Sequence, residues 1–252
     1  MMRITSALAF TNRVLWTFAF TFVEITSCLH LAQAQLNSNL QIIADQQKPP
    51  VTDRPPRSER KPAASRGSCE ETDAPFTPVL PVTDGRFTGF TLKEHPAFWF
   101  YVPYQMDNVN SGEFTLEDQQ GNVVSSIRFR LPETPGFVSV SLPVTKAPLE
   151  MDMPYRWAIR LDCAEGDSYG ANYAFAEGWV QRVNLADLEA QLEAVSLEER
   201  LDFYLNNRIW YDALTDLAEI RNRPQVWQRF LTEMELEQLE REAIADSVVP
   251  IE

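Results

Sequence analysis

The chain has 252 residues, with 36 acidic and 22 basic side chains and a formal net charge of −14. This acidic balance argues against nucleic acid or an anionic membrane surface as the ligand, because both attract clustered positive charge. The sequence contains two histidines and three cysteines, too few for the usual metal centres, and we expect no metal and no cofactor.

The N-terminal residues 1–34 have the composition of a signal peptide. Arginines precede an apolar run over residues 14–23, and Ala32-Gln33-Ala34 is a small-x-small cleavage signal. The run is too short to cross a bilayer, which needs about 20 apolar residues. The sequence therefore predicts export to the periplasm or cell surface, with the mature chain starting at Gln35. Lipidation at Cys28 or an uncleaved N-terminus is the alternative, and would be the only membrane contact.

The next segment, residues 35–68, is polar and rich in proline. It offers few apolar side chains to offset the entropy lost on ordering, so we predict a disordered linker. Apolar segments become frequent from Cys69 onward. We expect residues 69–183 to form a β-sandwich domain and residues 184–252 to form a helical region packed on it.

Short apolar segments alternate with turn signals between residues 69 and 183, as is typical of antiparallel strands. A turn over residues 118–122 predicts a hairpin. The predicted strands cover residues 97–102, 113–116, 123–131, 137–142, 155–161 and 171–183. This pattern predicts an α+β, mainly β fold: an antiparallel immunoglobulin-like β-sandwich with a C-terminal helical cap.

After Val183 the apolar spacing changes to the helical period. Asn184 is a candidate cap for a first helix, and Ser196-Leu197-Glu198-Glu199 is a capping-box pattern for a second. An apolar stripe over residues 209–220 predicts a third helix, and Pro224 suits the first turn of a fourth. A second capping-box pattern, Thr232 with Glu235, predicts a last helix that includes Ile244.

Removal of the signal peptide leaves two cysteines, Cys69 and Cys163. Exported proteins pass through an oxidising compartment, where paired cysteines form disulfides. We therefore predict one disulfide, between Cys69 and Cys163.

The most apolar segment is the predicted strand over residues 97–102. Side chains alternate across a strand, so Trp99 and Tyr101 face the side opposite to Phe98 and Phe100. Both faces are apolar, which predicts that both are covered. We expect the second sheet on one face and the helical cap on the other, with Trp210 and Leu214 against Trp99 and Tyr101. A ligand is the alternative cover.

Sugars bind by stacking on exposed aromatic rings, and the sequence offers a pool for this role. Core packing is the simpler explanation for the same side chains. The pool consists of Trp99, Tyr101, Trp157 and Trp179.

Several segments resemble the cyanobacterial domain-of-unknown-function family 928. They are Pro96–Tyr104, Leu131–Gly136, Tyr155–Cys163 and Glu177–Val183, continued by the helical Trp210–Leu214. The resemblance covers about residues 69–245. It implies a cyanobacterial exported protein, and it supplies no activity and no catalytic residues.

The sequence contains no nucleophile elbow, no P-loop and no dinucleotide-binding motif. Glycoside hydrolysis needs only two carboxylates in a cleft, and an acidic chain has many. Glu177, which alternation places on one face with Phe175 and Trp179, is the leading candidate. The simpler alternative, which we favour, is an ion pair between Glu177 and an arginine, with Arg156, Arg160 and Arg182 as candidates.

The sequence therefore predicts an exported cell-envelope protein that binds an envelope protein or glycan without catalysis. The candidate binding residues are Trp99, Tyr101, Trp179 and Glu177. The alternatives are a carboxylate-based glycan hydrolase and a structural accessory to a secretion or surface system.

Overall fold

The computed structural model describes residues 69, 72–83, 86–164, 172–184, 192, 194–215 and 220–251. The predicted signal peptide and the whole of the predicted linker lie outside these residues, as does most of the helix predicted after Asn184. The described part is mainly β, with two sheets and with its α-helices in the C-terminal region.

Eleven strands among the described residues form the two sheets. They are β1 (Thr77–Pro78), β2 (Val82–Thr83), β3 (Arg86–Thr91), β4 (Ala97–Val102), β5 (Val109–Glu117), β6 (Val123–Arg130), β7 (Gly136–Ser141), β8 (Pro154–Cys163), β9 (Tyr173–Arg182), β10 (Ile244–Ser247) and β11 (Val249–Pro250). One sheet has the order β1-β4-β7-β10, and the other has the order β11-β6-β5-β8-β9-β3-β2.

The hairpin predicted around residues 118–122 joins β5 to β6. The Asp118 carboxylate accepts hydrogen bonds from the Gln120 and Asn122 backbone N–H groups and from the Asn122 side chain. The Asn122 amide is the main cause of a lowered pKa at Asp118. This turn fixes the β5–β6 register, in which Phe114 lies opposite Ile127.

The two sheets differ from an all-antiparallel arrangement at two places. β3 pairs with β9 in parallel, with Thr88 opposite Trp179, and β10 pairs with β7 in parallel. The expectation of a wholly antiparallel fold was therefore wrong. Both parallel pairs join segments far apart in the chain, so no local turn pattern predicts them.

The core lies between the sheets and is rich in aromatic rings. From the four-stranded sheet, Phe98 and Phe100 point inward, as alternation predicted. The ring centroids are 4.6 Å apart for Phe98 and Phe114 and 5.6 Å apart for Phe100 and Trp157. Phe98, Phe100, Phe114 and Trp157 are all at most 1% exposed.

Three α-helices are described: α1 (Leu197–Asn206), α2 (Trp210–Ala213) and α3 (Pro224–Glu233), with 3-10 turns at Met106–Asn108 and Glu237–Leu239. The predicted capping box opens α1: the Ser196 hydroxyl accepts from the Glu199 N–H, and the Glu199 carboxylate accepts from the Ser196 N–H. Pro224 occupies the first turn of α3, as predicted.

The prediction of a helix that includes Ile244 was wrong. The Thr232 and Glu235 pattern falls at the end of α3 instead of opening a helix, and Ile244 begins β10. β10 lies in the four-stranded sheet and β11 in the seven-stranded sheet, so residues 244–250 run from one sheet to the other. Sheet pairing with β6 and β7, which is not visible in the local sequence, outweighs the helical spacing there.

The helix α2 fills the space between the sheets. Tyr211 is 1% exposed, and its ring centroid lies 5.2 Å from that of Phe98. Its hydroxyl accepts a hydrogen bond of 2.7 Å from the Trp157 indole N–H and donates one of 2.8 Å to the Trp179 carbonyl. The helical region thus supplies part of the core of the two-sheet unit.

Trp210 packs against β3 at Gly89, where an added Cβ would lie 2.7 Å from the indole Cδ1. The outer face of β4 is covered by α3, because the Trp227 ring centroid lies 5.5 Å from that of Phe137, the cross-strand neighbour of Tyr101. Trp227 thus covers the face that we expected Trp210 to cover. The predicted helical cover is present, but it comes from a different helix.

Cys69 and Cys163 form a disulfide with their Cα atoms 5.6 Å apart, in agreement with the predicted pairing. The bond ties the end of β8 to Cys69, which lies ahead of the first strand. It closes a loop with a sequence separation of 94 residues.

Candidate functional site

The structure distributes the sequence-predicted aromatic residues over three environments. Trp157 points into the core, Trp99 and Tyr101 lie on the outer face of the four-stranded sheet, and Trp179 lies on the outer face of the seven-stranded sheet. Trp157 and Trp179 are 0% and 6% exposed, and Tyr101 is 5% exposed. These four side chains therefore do not form one shared platform.

Tyr101 is engaged within the protein. Its ring centroid lies 5.7 Å from that of Phe137, and its hydroxyl is hydrogen-bonded to the Glu242 carboxylate. Burial, together with the negative charge of Glu242, raises the pKa of Tyr101 to about 12. Trp99, two residues away on the same face, is half-buried opposite Ser139. This face is therefore mainly a packing surface for α3.

The outer side of the seven-stranded sheet carries a second group of side chains, and it includes Glu177 and Trp179. Alternation along β8 and β9 puts these side chains on one side of the sheet, and the cross-strand register brings them together. We call this surface the β8–β9 face. It consists of Glu117, Arg156, Arg160, Tyr173, Phe175, Glu177 and Trp179.

Arg156 holds two carboxylates on the β8–β9 face. Its guanidinium bonds to Glu177 and, at 3.0 Å, to Glu117. Burial lowers the pKa of Arg156, but the hydrogen bonds and charges of Glu177 and Glu117 outweigh it and the pKa is raised. The predicted ion pair of Glu177 is present, and Arg156 is its partner. Arg182 instead binds Glu94 and the Leu149 carbonyl.

The other half of the β8–β9 face combines an arginine with two aromatic rings. The Arg160 guanidinium lies 4.6 Å from the centre of the Tyr173 ring and forms an ion pair of 2.8 Å with Asp162. Phe175, opposite Arg160 in the β8–β9 register, is 36% exposed. Phe175 is therefore an accessible apolar ring beside charged side chains that form ion pairs.

The charges on this face are not arranged as in a glycosidase. A glycosidase places the scissile bond between two carboxylates, whereas the Arg156 guanidinium bridges Glu117 and Glu177. Stacking of a sugar on Tyr173 would compete with Arg160, which already lies over that ring. No group of three or more metal-ligating side chains occurs among the residues described.

Two members of the face were missed by sequence reasoning. Glu117 was not connected with Glu177, because β5 and β9 are not adjacent and only the position of β8 between them joins the two carboxylates. Tyr173 was not connected with Arg160, although the alternation of β9 puts it on the same side as Phe175. The alternation rule extended over the whole strand would have found Tyr173.

Among the described residues, no helix is both long and apolar enough to span a membrane. Neither a curated protein nor a solved structure matches the chain. The chain matches the family Domain of Unknown Function (DUF928) over residues 61–244. This match covers more than half of the sequence, so the chain belongs to the DUF928 family.

Proposed function

We propose that this protein is an exported, non-catalytic binding module of the cell envelope, and that the β8–β9 face binds a partner protein. The observation that supports this proposal is the accessible Phe175 ring, 36% exposed, among charges held by ion pairs. Protein interfaces combine an aromatic anchor with a polar rim in this way. We also propose that the two-sheet unit is immunoglobulin-like and that the chain is of cyanobacterial origin.

A protein partner fits the face better than a glycan does. Phe175 is one accessible ring, and the neighbouring Tyr173 ring has Arg160 over it. A sheet that binds sugars by stacking would need several open rings in a row. Fixed charges with both signs, in contrast, can match a protein surface of complementary charge and give specificity.

A photo-cross-linker placed at residue 175 tests the proposal. The mature chain carrying benzoylphenylalanine at this position is irradiated in envelope extract, and the products are identified by mass spectrometry. We expect one protein to be cross-linked repeatedly, and the yield to fall when Arg160→Glu reverses the neighbouring charge. The matched control carries the same group at Val144, which is 81% exposed in a loop.

Equal yields from residues 175 and 144 would contradict the proposal. The hydrolase alternative has its own test, the release of reducing ends from envelope polysaccharide. Release that is abolished by Glu177→Gln would replace the binding function with the catalytic one. Export is tested separately by the mass of the chain recovered from the envelope, which should correspond to an N-terminus at Gln35.

A further inference from the structure

The strand β6 lies beside the end of the seven-stranded sheet, and β11 covers part of its free side. β11 pairs with Arg130 and Phe129, and the Ile251 N–H donates to the Arg128 carbonyl. Over residues 123–127, none of the residues that the structure describes pairs with β6 on this side. An uncovered strand edge is a template for a further strand.

The bond at Arg128 shows which backbone groups this open edge presents. Backbone N–H and C=O groups of alternate residues in a strand point to the same side. The groups of Ser126 therefore point in the same direction as the Arg128 carbonyl, away from β5, and the β5–β6 register shifts only beyond Ser125. Ser126 thus offers one N–H and one C=O group to an added strand.

A groove of about 360 Å³ lies beside the same edge. Ile127 and Arg128 line it from the seven-stranded sheet, Ser141 lines it from the four-stranded sheet, and Val248 and Pro250 line it from the C-terminal segment. An added strand alternates its side chains, so those pointing toward the four-stranded sheet would enter this groove. The edge thus provides both backbone pairing and space for side chains.

The charge beside the edge indicates the chemistry of the partner. Arg128 and Arg130 are exposed on the outer side of β6. Neither forms an ion pair with any residue in the described part of the chain. In a chain with a net charge of −14, two accessible cations beside an open edge favour carboxylates on the incoming strand.

We propose that the β6 edge binds an extended, acidic segment of a partner protein, which adds to the sheet as a strand in line with β11. β11 is an instance of this pairing within the chain itself, because it joins the same edge antiparallel to β6. The inference rests on the proposed protein-binding function and extends it, since β6 and the β8–β9 face belong to one sheet.

The test uses a fluorescein-labelled octapeptide of alternating Glu and Val, and a second peptide in which Lys replaces Glu. Fluorescence anisotropy with the mature chain should show binding of the Glu peptide and much weaker binding of the Lys peptide. Ser126→Pro removes an N–H that points to the open edge, a position where proline is tolerated. It should weaken binding about tenfold, since a hydrogen bond is lost and the ring obstructs the added strand.

The matched control is Ser126→Ala, which keeps the backbone N–H and should bind the Glu peptide as the wild type does. Arg128→Glu should reverse the preference between the two peptides. Urea melts of each variant establish that the protein is folded.

Absence of binding by the Glu peptide would overturn the inference, as would binding that Ser126→Pro does not change. Self-association that Ser126→Pro abolishes would also overturn it, because the occupant would then be a second copy of the chain. Cross-linking from residue 175 that persists without peptide binding would leave the proposed function standing and remove this inference alone.

Discussion

The hydroxyl of Tyr211 connects the helical region to two adjacent strands of the seven-stranded sheet, β8 and β9. Burial raises the pKa of Tyr211 well above its ordinary range, so the hydroxyl stays protonated. It can then accept from the Trp157 indole N–H and donate to the Trp179 carbonyl, at 2.7 and 2.8 Å. Tyr211→Phe keeps the ring and removes both bonds.

The loss of stability expected for Tyr211→Phe follows from these two hydrogen bonds. Each buried hydrogen bond contributes about 0.5–1.5 kcal/mol net, and a buried donor left without an acceptor costs about 1–3 kcal/mol. Trp157 is 0% exposed, so water cannot replace the lost acceptor without a structural change. We therefore expect Tyr211→Phe to lower the free energy of unfolding by about 2–4 kcal/mol.

Urea denaturation, followed by tryptophan fluorescence, measures this difference. The matched control is Tyr104→Phe, since Tyr104 is also buried but has no hydroxyl hydrogen bond to another described residue. The control should change the free energy of unfolding by less than about 0.5 kcal/mol. In a Trp157→Phe background the donor is gone, so Tyr211→Phe should cost at least about 1 kcal/mol less. A cost below about 1 kcal/mol in the wild-type background, equal to that of Tyr104→Phe, would refute the reasoning.

Three further changes test the packing. Trp210→Ala should cost about 3–5 kcal/mol in urea melts, because its buried indole packs on Gly89; a cost below 1 kcal/mol would show that α2 is loosely attached. Gly178→Ala should lower stability by about 1–3 kcal/mol, since the new Cβ would lie 2.6 Å from the Phe87 carbonyl oxygen and would overlap Trp157; an unchanged midpoint would contradict that close approach. The pKa of Tyr101 is raised to about 12 from an ordinary 10.0, so its contribution to stability should be fully present below pH 10 and lost as the pH rises from 10 through 12. Tyr101→Phe should remove this fall of stability with pH. An identical pH dependence in wild type and variant would refute the assignment.

The sequence predicted those parts of the fold that local patterns determine. The bounds of β4 agree with the predicted strand over residues 97–102, because every side chain there is apolar and turn residues flank it. The capping box at Ser196 was found because both of its partners lie within four residues. β3 was missed because Gly89 interrupts its apolar pattern, and its parallel pairing with β9 depends on a distant segment.

The candidate site shows the same division between local and distant information. Alternation correctly placed Glu177, Phe175 and Trp179 on one face, since that rule concerns a single strand. It could not choose among the candidate arginines, because the choice depends on the register between β8 and β9. That register sets Ala158 opposite Glu177, which makes both Arg156 and Arg160 diagonal neighbours of Glu177. Arg160 pairs with Asp162 instead, and Arg156 bonds to Glu177.

The spacing of apolar residues changes after Val183, where strands are followed by helices. Segments before and after this point nevertheless pack against each other. Tyr211, from the helical side, completes the core between the sheets through its bonds to Trp157 and the Trp179 carbonyl. β10 and β11, from the same side, pair with one sheet each. The two sheets are thus held together by segments that follow them in the chain. The β-rich and helical regions should therefore unfold together, because neither buries its apolar surface without the other.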